Sequence, residues 1–322
     1  MKILFTSPGR RVELIKTFRE NAPAGSMLYG ADFDRTCPAS FFLDGLFEVP
    51  FKIDDAYITR LLEICINNKI DLLIPLIDPE LLPLAKAKEH FSKVGTTVMI
   101  SDEEMIEISR DKFKTFERMN QIGIPSPKTI LGKDLASDSI SYPIILKPRN
   151  GSSSKGIFVI NDKNQLPSPN IYNNEDYIVQ EVIKGYEVTV DILCDGNGRC
   201  IEGVQRKRLK VRGGEVERAV TIKEKTLHLL VERLVEELRP FGVINAQFMF
   251  DERRKSYMLM EINPRFGGGY PLAYYAGANY PKMLIRIIAG EEIEYTPMSY
   301  EEGKYMLRYD EAVYTRELKE FC

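Results

Sequence analysis

Short apolar strands alternate with amphipathic helical stretches through about the first hundred residues, and this rhythm restricts the chain more than any other feature. KILFTS, VELIKTFREN, MLYGADF, ITRLLEICINNK and IDLLIPLI follow one another in that order. Such alternation is the pattern of βαβ units and predicts a parallel sheet covered by helices. Open sheets of this kind bind ligands at the carboxyl ends of their strands. Here those ends fall at 7–11, 32–34 and 78–80, which makes Arg10, Arg11, Asp78 and Glu80 candidate substrate residues on one rim. Of the two arginines Arg10 is the better candidate, because Arg11, with Glu13 and Glu20 nearby, also reads as a solvated residue opening a helix. SPGRR lacks the GxGxxG spacing that lets a backbone approach a pyrophosphate, which argues against a dinucleotide.

The remaining 200 or so residues change grammar, so more than one compact unit is expected from a chain of 322 residues. We place an α/β unit at 1–108, a small lid at 109–184 and an α+β unit with a mixed sheet at 185–322. Ser101 with Glu104 reads as a capping box, and Ser109 as the cap of a second helix that stops at Gly123. Strands at 144–147, 157–160 and 177–182 surround the glycine- and serine-rich GSSSKG at 151–156. The third stretch holds the alternating strand EVTVDIL and a long helix with Leu227, Leu230, Val231, Leu234, Val235 and Leu238 on one face.

Charge and cysteine content narrow the function classes. A net charge of -3, with 28% charged and 44% hydrophobic residues, gives no basic excess for a nucleic-acid backbone. Apolar runs are broken well before the ~20 residues of a membrane helix, and no signal peptide is read at the start, so a cytoplasmic protein is expected. Five cysteines without a CxxC pair read as free thiols, Cys194 and Cys200 facing across a hairpin included. Two histidines, His90 and His228, are too few for a zinc site or a histidine-based triad.

INAQFMF and YMLMEIN flank the charged turn DERRK and predict an antiparallel hairpin. Matching their apolar faces sets Phe250 opposite Met258 and Phe248 opposite Met260. The other face then carries Gln247 opposite Glu261 and Asn245 opposite Asn263, with Arg265 just past the strand. Oxygen donors gathered on a sheet suit magnesium, which takes one or two carboxylates together with substrate phosphates. The same pattern is also that of a solvated sheet face ending in an Asn-Pro turn.

Taken together, these segments resemble the ATP-grasp superfamily, and in particular ligases similar to the carbamoyl-phosphate synthase large subunit. The likeness extends over nearly the whole chain. It implies an ATP-grasp fold: an N-terminal Rossmann-like sheet, a small lid and a C-terminal sheet domain. MEINPRFGGG (260–269) looks like that family's metal and phosphate segment, so the resemblance assigns Gln247, Glu261 and Asn263 to magnesium, with manganese as an alternative, and Arg265 to the transferred phosphate. Lys112 and Lys147 are implied to face the nucleotide phosphates. Gly151, Ser152, Ser153, Ser154 and Gly156 are similar to the family's closing loop. VQEVIKGYE looks like the adenine hinge, with Gln180, Glu181 and Val182 beside the nucleotide and Glu187 on the ribose.

The chemistry that follows is an ATP-dependent ligase that phosphorylates a small carboxylate and passes the acyl group to an amine. Phosphoryl transfer needs positioned cations, magnesium and a closing loop rather than a strong base. Arg206 and Arg212 in QRKRLKVRGGE are further candidates for the acyl phosphate, and Gly267 and Gly268 for the substrate. The second synthetase half and the ammonia-supplying subunit of carbamoyl-phosphate synthases are not read in this sequence, and a resemblance in mechanism need not carry that reaction or its substrate. Two small-molecule substrates are the partners expected, and a homodimer stays open. The competing readings are a nucleotide sensor or scaffold without turnover, and a kinase that releases its acyl phosphate.

Overall fold

The computed structural model describes residues 1–135, 140–151 and 156–322. Its first region is a five-stranded sheet in the order β3-β2-β1-β4-β5, parallel at every pairing. The strands are β1 (Lys2–Thr6), β2 (Met27–Asp32), β3 (Gly45–Glu48), β4 (Leu72–Pro75) and β5 (Thr97–Val98). Helices α1 (Val12–Asn21), α2 (Asp55–Asn68) and α3 (Leu81–Lys93) connect them. β1, β2 and β4 bury residues of both faces, as expected when helices or other layers cover both sides of a parallel sheet.

Helix α4 (Glu103–Arg110) and helix α5 (Lys112–Ile122) follow, and their starts differ from the sequence reading. The Asp102 carboxylate accepts from the Met105 amide, while the Ser101 hydroxyl accepts from the Phe241 amide. Asp111 caps α5 by accepting from the Phe113 and Lys114 amides, and Ser109 stays inside the last turn of α4. Both shifts favour Asp, a strong acceptor at a helix N-terminus. Gly123 ends α5 in the left-handed conformation, as anticipated.

The second sheet, β6-β9-β7-β8, is formed by β6 (Thr129–Leu131), β7 (Ile144–Pro148), β8 (Phe158–Ile160) and β9 (Tyr177–Glu181), with the short α6 (Pro169–Tyr172) before β9. The third sheet has six strands in the order β14-β13-β10-β11-β12-β15. They are β10 (Gly185–Asp195), β11 (Cys200–Arg212), β12 (Glu215–Ile222), β13 (Phe241–Asp251), β14 (Ser256–Asn263) and β15 (Tyr305–Leu307). Every pairing in it is antiparallel, so the mixed sheet expected here is corrected. Hairpin-length connections make the antiparallel arrangement the accessible one, because a parallel pair needs a longer crossover.

α7 (Lys225–Leu238) lays Leu227, Val231, Leu234, Val235 and Leu238 on one face of the third sheet, against Val190, Ile192 and Ile244. Each fully buried side chain of this size contributes about 1.5–3 kcal/mol. The opposite face packs on α8 (Tyr270–Tyr275), α9 (Tyr280–Ile288) and the first region, where Ile3, Phe5, Phe18, Leu193, Val204, Phe266 and Tyr280 share one core. That shared core brings the start of α1 beside the glycine segment after β14. Cys194 and Cys200 are register partners across the β10–β11 hairpin, and all five cysteines are free. Among the described residues no helix is long and apolar enough to cross a membrane.

Candidate functional site

The β13–β14 hairpin supplies the floor of the site. Asn245 pairs with Asn263 and Gln247 with Glu261, as its sequence predicts. Beyond Gln247 a β-bulge shifts the ladder by one, so Phe248 faces Leu259 and Phe250 faces Tyr257 rather than Met260 and Met258. Tyr257 and Leu259 thereby join the core with Ile262, a spacing that period-two matching cannot give. The bulge leaves the site end of the hairpin in the predicted register.

Glu261 is flanked by cations and takes no hydrogen bond from the described residues. Burial raises its pKa, Lys112, Lys147 and Arg265 pull it back down, and Asp78 adds to the rise. Lys112 opens α5 and donates to the Gly151 carbonyl at 2.8 Å. Burial lowers its pKa against the pull of Glu261, Asp111 and Asp78. Lys147 on β7 is buried and donates to Gln180 Oε1 at 2.8 Å; Gln180 in turn donates to Thr129 Oγ1 at 2.9 Å. Burial and the nearby Lys112 push the Lys147 ammonium down to about 8, opposed by Glu261. Lys112, Gly151, Glu261, Asn263 and Asp78 line a cleft of about 80 Å³. A groove of about 570 Å³ between α2 and α3, beside Pro83 and His90, shares no lining residue with it.

Arg265 is fixed from the rim of the parallel sheet. Its Nε and Nη2 donate to Asp78 Oδ1 and Oδ2 at 2.8 and 2.7 Å, a bidentate pair joining residues 187 apart in sequence. Nη1 donates to the Phe266 carbonyl at 3.1 Å. The Asp78 carboxylate, a candidate for substrate, is here taken by Arg265, and Arg110 donates to the Asp78 carbonyl.

Other expected contacts are corrected. Glu80 is fully buried, accepting from the Leu76 and Ile77 amides at 2.9 and 3.1 Å and from the Tyr57 hydroxyl at 2.6 Å. It braces the loop after β4 and does not reach substrate. Arg212 ends β11 on the surface, paired with Asp310 at 3.2 Å, because β11 and β12 run outward together beyond the site. Arg10 is exposed, whereas Arg11 turns inward toward Arg265 and Arg308. Glu187 is engaged by Arg208, and Glu181 by Arg254 at 2.7 Å and the Lys128 amide at 2.8 Å. Val182 directly follows β9. Gly151 and Gly156 have φ of +107° and +71°, which favour glycine; Ser152, Ser153 and Ser154 lie outside the described residues.

Arg206 is buried on β11 and its Nε donates to Asp191 Oδ2 at 2.6 Å. Asn245 Nδ2 donates to the other Asp191 oxygen at 2.6 Å. Gly267 lies over Asn245 and Asp191, Gly268 over Arg11 and Arg308, and Gly269 over Arg206. A Cβ at Gly269 would stand 2.3 Å from Arg206 Nη1, so only glycine lets the chain pass. Sequence reading missed Asp191, Glu215 and Arg308. For Asp191 a signal existed: in EVTVDIL it shares a face with Thr189 rather than with the apolar Val188, Val190 and Ile192.

The donor set fits a hard cation with a polyphosphate: one hydrogen-bond-free carboxylate, two amide oxygens and two lysines. No group of three or more His, Cys, Asp or Glu that could hold a metal gathers among the described residues.

Comparisons with known proteins agree with this geometry. A family model described as "PylC-like, N-terminal domain" matches residues 3–99, and one described as "ATP-grasp in the biosynthetic pathway with Ter operon" matches 173–309. The chain is 25% identical over 265 residues to a carbamoyl-phosphate synthase of Methanobrevibacter smithii, covering 77% of this chain and 70% of that one. It is 27% identical over 234 residues to the carbamoyl phosphate synthase large chain of Agathobacter rectalis, of which it spans 22%. Among solved structures, the biotin carboxylase domain of 2-oxoglutarate carboxylase from Hydrogenobacter thermophilus, in complex with MgADP and bicarbonate, superposes with a TM-score of 0.75 at 19% identity over 94% of this chain and 73% of that one. N5-carboxyaminoimidazole ribonucleotide synthetase from Thermotoga maritima does so with 0.67 at 18% identity over 91% and 76%. Those two likenesses show a shared fold. Residues 173–309 thus match an ATP-grasp family model, the sequence relatives are carbamoyl-phosphate synthases, and the chain is similar throughout to ATP-grasp ligases.

Proposed function

We propose that this chain phosphorylates a small carboxylic acid with ATP and couples the resulting acyl phosphate to an amine or similar nucleophile. The observation that carries the reading is the Glu261 carboxylate, free of hydrogen bonds and set among Lys112, Lys147 and Arg265. A protein that only senses a nucleotide has no need for four charges focused on one point between two sheets.

ATP and magnesium, when bound, supply the phosphoryl group and neutralise its charge. Glu261, Asn263 and Gln247 hold the metal, and Lys112 and Lys147 hold phosphate oxygens. Arg265, fixed by Asp78 before any ligand arrives, stabilises negative charge at the reacting centre without reorganisation. We assign the lid to 109–184 and the catalytic sheet unit to 185–322.

Hydroxylamine captures acyl phosphates as hydroxamates, which gives a direct test. Purified chain, MgATP, hydroxylamine and a panel of small acids should yield hydroxamate and ADP in equal amounts with at least one acid. ADP release that ignores every acid and gives no hydroxamate would remove the ligase reading. Hydroxamate formed with no amine able to replace hydroxylamine would favour release of the acyl phosphate.

A further inference from the structure

Beyond the reacting centre lies a second cationic site that the phosphoryl chemistry does not use. Arg206 is 1% exposed, and while its Nε is taken by Asp191, its Nη1 is buried with no hydrogen-bond partner. A buried guanidinium N–H left unpaired forfeits its hydration without replacement, so such groups generally have a partner. That Nη1 lies against Gly269, where a Cβ would stand 2.3 Å away. One residue earlier, a Cβ at Gly268 would stand 2.6 Å from Arg11 Nη1. Among the described residues Arg11 has no hydrogen-bonded carboxylate. Burial, then Arg265 and Arg308, lower its pKa to about 10 against the pull of Glu215 and Asp78. Arg308 completes the group but is committed, to Glu215 at 2.8 Å and to the Gly268 carbonyl. Four arginines thus face three carboxylates: Asp78 is gripped by Arg265, Glu215 by Arg308 and Asp191 by one arm of Arg206, so that among the described residues Arg11 feels Glu215 and Asp78 only from beyond hydrogen-bond distance.

We propose that Arg11 and the free arm of Arg206 bind a second, non-reacting carboxylate carried by one of the two small substrates, above the 267–269 turn. This rests on the ligase reading for the reacting centre, but the carboxylate site is an independent binding claim. A planar guanidinium matches a carboxylate bidentately. Two of them on adjacent glycines, one from the parallel sheet and one from the antiparallel sheet, read the ligand only when both regions are in place. The carboxylate belongs either to a dicarboxylic acid that is activated at its other end or to an amino acid acting as the nucleophile.

Calorimetric titration of the full chain, without nucleotide or metal, tests the site apart from turnover. Succinate and glutarate form one arm, alanine and glutamate the second, and propionate with ethylamine the controls. Members of one arm should bind at least about tenfold more tightly than the controls, since a site built to pair a charged group rejects analogues lacking it. Arg11→Met should remove that preference. Gly268→Ala, whose new methyl displaces only the flexible Arg11 end, should weaken it without unfolding the chain. Equal binding of controls and both arms, or no binding of any of them at millimolar concentration, would overturn the proposal. So would a preference that survives Arg11→Met. Binding with the expected preference but no acid-dependent ADP would keep this site and remove the ligase reading. Hydroxamate from propionate as readily as from succinate, with no preference for the amino acids, would do the reverse.

Discussion

The two antiparallel sheets treat their cations in opposite ways. Beside the six-stranded sheet the arginines hold carboxylates: Arg265, just past β14, grips Asp78 through two bonds, and Arg206 gives its Nε to Asp191 at 2.6 Å while its Nη1 has no partner among the described residues. On the four-stranded sheet Lys147 leans on the neutral Gln180 amide, and its pKa falls to about 8. Their cores differ likewise. Among the described residues six buried side chains form the cluster of the small sheet, and twenty form that of α7 with the large one. A sheet with a small core moves at low cost, whereas one with a large core holds charges still. Under the proposed function the large sheet is organised in advance for a transferred phosphoryl group, and the small one would gain its electrostatic partner from the nucleotide.

The sharpest way to break this contrast is Glu261→Gln. Removing the one carboxylate of the metal set should lower ADP formation by at least about a hundredfold. Because burial raises the pKa of Glu261, its charged form is disfavoured in the folded chain at neutral pH, so the amide should melt no lower than the parent. Loss of activity together with a clear fall in Tm would mean that Glu261 serves the fold instead. Next comes Asp78→Ala, which leaves Arg265 without its clamp. Activity should drop about 10–100-fold from misplacement alone, and chemical denaturation should show a loss of roughly 1–3 kcal/mol. If Asp78→Ala kept full activity, Arg265 would not need the parallel sheet to be positioned.

Most of the architecture was legible because period-two and period-3.6 patterns are local. The βαβ rhythm, the α7 face, and the Asn245–Asn263 and Gln247–Glu261 pairs all follow from side-chain alternation. The bulge after Gln247 was not legible, since Met258, Leu259 and Met260 are interchangeably apolar and only the packing of Tyr257 and Leu259 decides between them. The surroundings of single arginines were not legible one by one. Arg10 and Arg11 are chemically alike, and which of them turns inward depends on how α1 seats against α8 and α9, a long-range matter. Asp78 was placed on the correct rim, yet its partner lies 187 residues away, beyond any local pattern. Glu80 shows the converse: a carboxylate at a ligand-binding rim is buried by its own loop.

A smaller effect sharpens the lid side of the comparison. Lys147 is depressed to about 8 by burial and by Lys112, so near that pH a fraction of the free protein carries it neutral. Phosphate beside it restores the proton, and nucleotide binding at pH 8 should take up protons. Titration of MgADP in two buffers of different ionisation enthalpy measures this uptake, which Lys147→Met should abolish while weakening ADP about tenfold. Stability carries the same sign. A lysine whose folded pKa lies below its unfolded value burdens the fold most below about pH 8, and that burden is relieved as pH rises toward its ordinary value of 10.5. Nucleotide binding without proton uptake would show that Lys147 stays fully charged on Gln180.

The smallest expected effect separates the committed arginines from the solvated ones. Arg212 and Arg206 belong to the same strand and the same basic run, so a general electrostatic attraction for phosphate would make them similar in importance. Their surroundings are opposite. Arg206 is buried on Asp191 beneath Gly269, whereas Arg212 reaches into solvent and meets Asp310, itself largely exposed. Water and salt screen such a surface pair, whose worth is close to nothing. Arg212→Ala should therefore change ADP formation by less than about twofold and leave Tm unaltered at ordinary ionic strength. Arg10→Ala should behave in the same way, because Arg10 lies exposed where Arg11 faces Arg265. Steady-state assays of the two variants at low and at high salt decide the matter. A loss that exceeds tenfold at low salt and fades at high salt would mean that the basic run acts through its collective field, and that burial does not choose which arginines work.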